Sequence, residues 1–203
     1  MFSMFKAKDD SKTNADLGLR LNLGCGFNKI TGFVNVDKFD ACEPDVVADL
    51  EIFPWPFDDN SVIEIYMSHV LEHLGASTEV FQKIIQELYR VCRNDALIRI
   101  YVPHPRSDNF LNDPTHVRVI TPTVLGLLDM ENCKLWEREG ASNTPLAKYW
   151  NVDFELVDTK IVPEAKYLAA MQSGQLSQED FMEMAETRNN IISEYQIQLR
   201  ARK

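Results

Sequence analysis

The chain has 203 residues, 45% of them apolar and 26% charged, ordinary values for one globular domain with a full hydrophobic core. Its formal net charge of −10, with no run of basic residues to offset it, repels phosphate and argues against non-specific nucleic-acid or anionic-membrane binding. No apolar run approaches the ~18 residues of a membrane span. The start carries no signal-peptide core, and four scattered cysteines without Cys-x-x-Cys read as reduced thiols, so a cytoplasmic protein with no membrane partner is expected.

In chain order, residues 1–18 are polar and predicted to be a loose N-terminal arm. The first predicted strand, 19–23, runs through Leu23 into Gly24-Cys25-Gly26. The glycines let the backbone turn tightly and approach a ligand that a Cβ would block. Cys25 reads as a small residue filling that turn, with a nucleophilic thiol as the alternative. A second strand, 34–36, ends at Asp37, whose carboxylate can accept two hydrogen bonds from ribose hydroxyls; Glu43 and Asp45 lie too far along. Thirteen positions separate Gly24 from Asp37, the third glycine of Gly-x-Gly-x-x-Gly is missing, and no Gly-Lys-Ser/Thr occurs. A dinucleotide site would place its acid roughly 20 residues on. The spacing points instead to a cofactor with a ribose and no phosphate, S-adenosylmethionine.

Further strands are predicted at 45–48, closing at Asp49-Leu50, and at 62–67. Residues 77–92 form a predicted helix, capped by Ser77 or Thr78, with Val80, Phe81, Ile84, Ile85, Leu88, Val91 and Cys92 at helical spacing. A strand over 96–102 follows. Residues 103–122 are irregular and lie after the carboxyl end of that strand, the edge where open α/β folds bind ligands. A short helix at 122–130 and a late, antiparallel strand at 154–162 come next. The tail from Ser177 is predicted to be helical, with Phe181, Met184, Ala185, Ile192, Tyr195 and Leu199 as its apolar stripe. The expected organisation is the arm (1–18), a main domain (19–162) and a helical C-terminal extension (163–203).

The order Gly24-Cys25-Gly26, Asp37, Asp49-Leu50, Phe53-Pro-Trp-Pro-Phe57-Asp-Asp-Asn-Ser61 and His69-Val-Leu-Glu72-His73 resembles the class I S-adenosylmethionine-dependent methyltransferases, in particular their type 11-like small-molecule branch. The resemblance covers residues 19–122. It implies a Rossmann-like, doubly wound, mainly parallel α/β sheet. It implies that Leu23, Gly24, Cys25 and Gly26 pass the cofactor's amino-acid end, that Asp37 holds the ribose, and that Asp49 and Leu50 face the adenine. His69 would lie beside the sulfonium, and Glu72 and His73 would anchor the following turn. Similar Asp-Pro-Thr-His-x-Arg stretches occur in a bacterial subset of these proteins. This chain departs in carrying Ile63-Glu64 where the family has Asp near the start of strand four. Its links 27–33 and 38–44 are also too short for crossover helices, which need about a dozen residues. One face over the first three strands must then be covered by something else: another part of the chain, or a second copy meeting it through the C-terminal helix.

Methyl transfer to a hydroxyl benefits from a base. Asp113-Pro-Thr-His116-Val-Arg118 places proton- and anion-binding groups on the loop beside the expected pocket. His116, Asp113 and His69 are the candidate catalytic residues, with a structural tie as the alternative for His116 and Asp113. His104, between two prolines, is expected to shape the loop, and Trp55 to cap the core edge rather than stack on a ligand. His69-x-x-Glu72-His73 also matches an inverted zinc-protease pattern, but Gly75 ends any helix at once. No metal is expected. The function read from the chain is methyl transfer to a small-molecule acceptor, a sugar or other polyhydroxy metabolite. A catalytically silent binding protein on the same fold and, remotely, a zinc hydrolase are the alternatives.

Overall fold

The structure, a computed structural model, describes residues 18–203, so the predicted arm lies outside it except for Gly18. Strands β1 (Leu19–Leu23), β2 (Val34–Asp37), β3 (Val46–Val47), β4 (Val62–Ser68), β5 (Cys92–Pro103), β6 (Phe154–Pro163) and β7 (Ile192–Ala201) form one sheet in the order β3-β2-β1-β4-β5-β7-β6. Neighbours among β1 to β5 pair in parallel, and β7 runs antiparallel between β5 and β6. The mainly parallel α/β architecture expected from the sequence is present.

Helix α1 (Thr78–Val91) forms as predicted. The Ser77 hydroxyl accepts the Val80 N–H at its start, and Phe81, Ile84, Ile85, Leu88 and Val91 are buried. They share one core with Leu21, Leu23, Val36, Ile65, Met67, Ile98 and Ile100 from alternate positions of the strands. Each large side chain buried there contributes about 1.5–3 kcal/mol before entropy is counted. After the short α2 (Asp108–Leu111), α3 (Pro122–Gly126), α4 (Met130–Glu139) and α5 (Leu146–Trp150) bring Leu125 and Trp150 to the same core.

The opposite face of the sheet is polar. The register sets Asn35 beside Asn22, Asn22 beside Tyr66, Tyr66 beside Arg99 and Arg99 beside Gln198. The short links therefore need no apolar cover. The Asn22 amide donates to Asn35 Oδ1 at 2.9 Å, the Asn35 amide donates to the Asp45 carboxylate at 2.8 Å, and the Ile30 N–H donates to Asn35 Oδ1 at 2.8 Å. Buried amides, not a crossover helix, tie the 27–33 link to the sheet.

The tail is corrected in one respect. It is helical in α6 (Ala165–Gln172) and α7 (Gln178–Thr187), but residues 192–201 are strand β7. Ile197 and Leu199 join the main core, whereas Phe181, Ala185 and Ile192 form a small second one. The helical stripe read from the sequence thus belongs to two different elements, both buried within this chain. Residues 163–203 are not an appendage to the sheet, because β7 is one of its inner strands. Among the described residues no helix is long and apolar enough to cross a membrane.

Candidate active site

A cavity of about 430 Å³ opens at the carboxyl ends of β1 to β4. Its wall includes Gly24 after β1, Lys38 and Phe39 after β2, Asp49 to Glu51 after β3, and His69, Val70 and His73 after β4. Gly24 has a φ of +66°, and a Cβ there would lie 2.5 Å from Val70 Cγ2, so any other residue strains both the backbone and the packing of the turn. Asp37 is on the wall. Its Oδ2 accepts the Gly26 N–H at 2.8 Å and its Oδ1 accepts the Phe39 N–H at 2.9 Å. A carboxylate offers about four lone-pair sites, which leaves acceptor capacity for ligand hydroxyls. Asp49 Oδ1 accepts the Glu51 N–H, and the Leu50 carbonyl accepts the Trp55 indole N–H at 3.1 Å.

Trp55 is buried, with its backbone N–H donated to Glu87 Oε2, so it caps the core edge as expected. Leu23 ends β1 inside the core. The Cys25 thiol is buried, and its pKa is pushed up by that burial and then by the Asp37 charge. A protonated thiol held in a tight turn fits the space-filling role, not a nucleophile.

The other end of the pocket is built from distant segments. His69 follows β4 directly with a φ of +55°, and its half-exposed ring lies on the cavity wall. Its Nε2 is 3.1 Å from Glu194 Oε2 and its Nδ1 is 3.5 Å from Glu72 Oε1. Its pKa is raised: Glu72 favours the imidazolium, burial opposes it, and Glu194 adds to Glu72. Glu194 comes from β7, opposite Pro103 in the register, and no motif in the sequence marked it.

The loop expected to overhang the pocket is docked on the turn after β4. The Glu72 carbonyl accepts the N–H groups of Val117 and Arg118 at 2.9 and 3.1 Å. Arg118 donates to the Gly75 carbonyl at 2.6 Å and covers the Phe81 ring, so it pins the entry to α1. Asp113 Oδ1 accepts both the hydroxyl and the N–H of Thr115, which hold its pKa down. His116 is tucked under this loop with its side chain 6% exposed, its Nδ1 2.8 Å from the Phe110 carbonyl and its ring stacked on Phe110. Thr115 and His73 reach the cavity wall, whereas His116 and Asp113 are not part of it. His104 shapes the loop as expected: it is buried, its Nδ1 accepts the Arg106 N–H, and its ring packs against Tyr195.

The zinc-protease pattern does not form. Leu71–His73 is a single 3-10 turn preceded by His69 at positive φ, so His69 and His73 are not one α-helical turn apart.

No protein-family model matches the sequence, and no curated protein does either. Solved structures do. A SAM-dependent methyltransferase from Archaeoglobus fulgidus is 20% identical, with a TM-score of 0.60 over 90% of this chain and 86% of that one. A SAM-dependent methyltransferase from Methanosarcina mazei is 14% identical, with a TM-score of 0.52 over 91% of this chain and 92% of that one. The 1,6-didemethyltoxoflavin-N1-methyltransferase of Burkholderia thailandensis, solved with bound 1,6-didemethyltoxoflavin and S-adenosylhomocysteine, is 12% identical, with a TM-score of 0.50 over 92% of this chain and 72% of that one. The chain has the fold of the class I S-adenosylmethionine-dependent methyltransferases.

Proposed function

We propose that this chain binds S-adenosylmethionine in the cavity beside Gly24 and Asp37 and transfers its methyl group to a small polyhydroxy acceptor such as a sugar. The observation that carries this is Asp37: it closes β2 on the cavity wall with lone pairs to spare, opposite a glycine turn that a Cβ would block. Charge supports it as well. The wall carries Asp37, Asp49 and Glu51 against Lys38, which suits a cationic sulfonium better than a pyrophosphate. Bound there, the cofactor would supply a methyl group activated on sulfur.

The chain's own residues would do the rest. Asp37 would accept the ribose hydroxyls, and Asp49 with the Leu50 backbone would face the adenine. His69 would take the acceptor's proton, because Glu72 and Glu194 stabilise the imidazolium it becomes. Thr115 and His73 would line the acceptor end of the wall, while Asp113 and His116 position it.

Isothermal titration with S-adenosylmethionine tests the cofactor. Binding tighter than about 100 µM, roughly −5.5 kcal/mol, is expected, and Asp37→Ala should lose about 1.5–3 kcal/mol of it. No binding by the folded parent, or unchanged affinity in folded Asp37→Ala, overturns the assignment. Binding without methyl transfer to any of a panel of sugars would favour the silent binding protein.

A further inference from the structure

Among the described residues, Glu72 is a buried carboxylate that lacks hydrogen bonds. Its side chain is 1% exposed, and neither carboxylate oxygen has a hydrogen-bond partner among the described residues. The 3.5 Å to His69 Nδ1 is within electrostatic reach but too long for a well-formed hydrogen bond. A buried carboxylate is normally paired, or it coordinates a metal.

The surroundings of Glu72 supply donors of the second kind. Glu72, His73 and His116 each place a ligand atom within 4.8 Å of the others. The hydrogen bonds fix which nitrogens are available. His116 Nδ1 lies against the Phe110 carbonyl, which can only accept, so Nδ1 carries a proton and Nε2 is the nitrogen that can ligate in the neutral ring. That Nε2 is 4.0 Å from Glu72 Oε1. Thr115 Oγ1 donates its single proton to Asp113 Oδ1 at 2.6 Å, so it must accept from His73 Nδ1 at 2.9 Å. In the neutral His73 ring, Nε2 is then the nitrogen that can ligate. A nitrogen of each imidazole and a Glu72 oxygen converge, with His69 Nδ1 3.5 Å from Glu72 Oε1 and Asp113 Oδ2 3.9 Å from His116 Nε2 at the rim of the cluster. Each histidine is oriented through its other nitrogen, by a backbone carbonyl in one case and by a threonine–carboxylate relay in the other. This is the support that metal-binding histidines receive.

We propose that Glu72, His73 and His116 bind one borderline divalent transition-metal ion, zinc or a close analogue, between the turn after β4 and the 113–118 loop. Imidazole nitrogen with carboxylate oxygen selects this class over calcium or magnesium. Donors about 2.1 Å from a tetrahedral ion stand roughly 3.4 Å apart, so the Glu72–His116 pair closes by about 0.6 Å on binding, within reach of side-chain rotation. Three protein ligands leave a coordination position open. His73 also lines the cavity, which puts the ion at its edge. The ligand set differs from the His69-x-x-Glu72-His73 pattern: His69 is excluded, and His116 arrives from a separate loop. The site stands on its own geometry, whether or not the cavity binds S-adenosylmethionine.

The test uses the untagged chain, stripped with chelator and titrated with zinc chloride by calorimetry, with melting followed in parallel. One ion per chain and a raised melting temperature are expected, because an ion that binds only the folded state stabilises it. His116→Asn should weaken binding at least 100-fold and abolish the thermal shift. Thr115→Ala, which removes only the relay, should weaken it roughly 10- to 100-fold. His69→Asn should bind within a few-fold of the parent. No zinc binding by the folded parent overturns the proposal. So does parent-like binding in folded His116→Asn, or loss of binding in His69→Asn alone.

Discussion

The two ends of the cavity are built differently. The Asp37 end is local. Gly24, Gly26 and Asp37 lie within one strand–turn–strand unit, and the carboxylate is held by the backbone of its own turns. The histidine end is assembled from the turn after β4, the 113–118 loop and β7, with Glu194 reaching His69 across 125 positions of sequence. A local end keeps its geometry as long as its strands pair. A remote end holds only while several loops stay docked, and its charges are set by neighbours that chain order does not reveal.

The largest expected effect falls on the remote end. His69→Gln should keep the fold and lower methyl transfer to an accepted sugar roughly 10²–10⁴-fold, the range for a lost general base. Turnover within a few-fold of the parent would move the base elsewhere and remove the functional side of the contrast.

Glycine substitutions probe the local end. Gly24→Ala combines positive φ with a Cβ 2.5 Å from Val70, whereas at Gly26, with a φ of +49°, nothing lies within 4 Å of an added Cβ. Gly26→Ala should cost about 1–2 kcal/mol, the ordinary left-handed penalty. Gly24→Ala should cost that and roughly 1–3 kcal/mol more as the packing shifts. Equal denaturation midpoints for the two variants would show that Val70 yields freely and that the turn is not held from β4.

The smallest effect is a titration. Because Glu72 and Glu194 favour the imidazolium, His69 titrates above its ordinary value of about 6.5. A raised folded pKa gives stability that is fully present below about pH 6.5 and is lost as pH rises through the raised value. Glu194→Gln should move the ring's titration, followed by NMR, downward and flatten that pH dependence. Unchanged titration would show that β7 contributes no charge to this end.

The sequence alone determined the local end and the covered face of the sheet. Gly24-Cys-Gly26 and Asp37 are close in the chain, so their geometry follows from one turn, and the spacing of Phe81, Ile84, Ile85 and Leu88 fixed α1 because a helix repeats its face every turn. Only the tertiary structure decided the rest. Ile192 to Leu199 carry apolar residues at intervals that suit either helix or strand. What makes them β7 is the open edge of β5, a partner that periodicity does not contain. Asp113 to His116 read as a group facing a substrate, yet docking on the Glu72 carbonyl turned Thr115 and His73 to the cavity and His116 toward a buried carboxylate. Hydrogen bonds between segments set where those side chains point, and such bonds leave no period in the sequence.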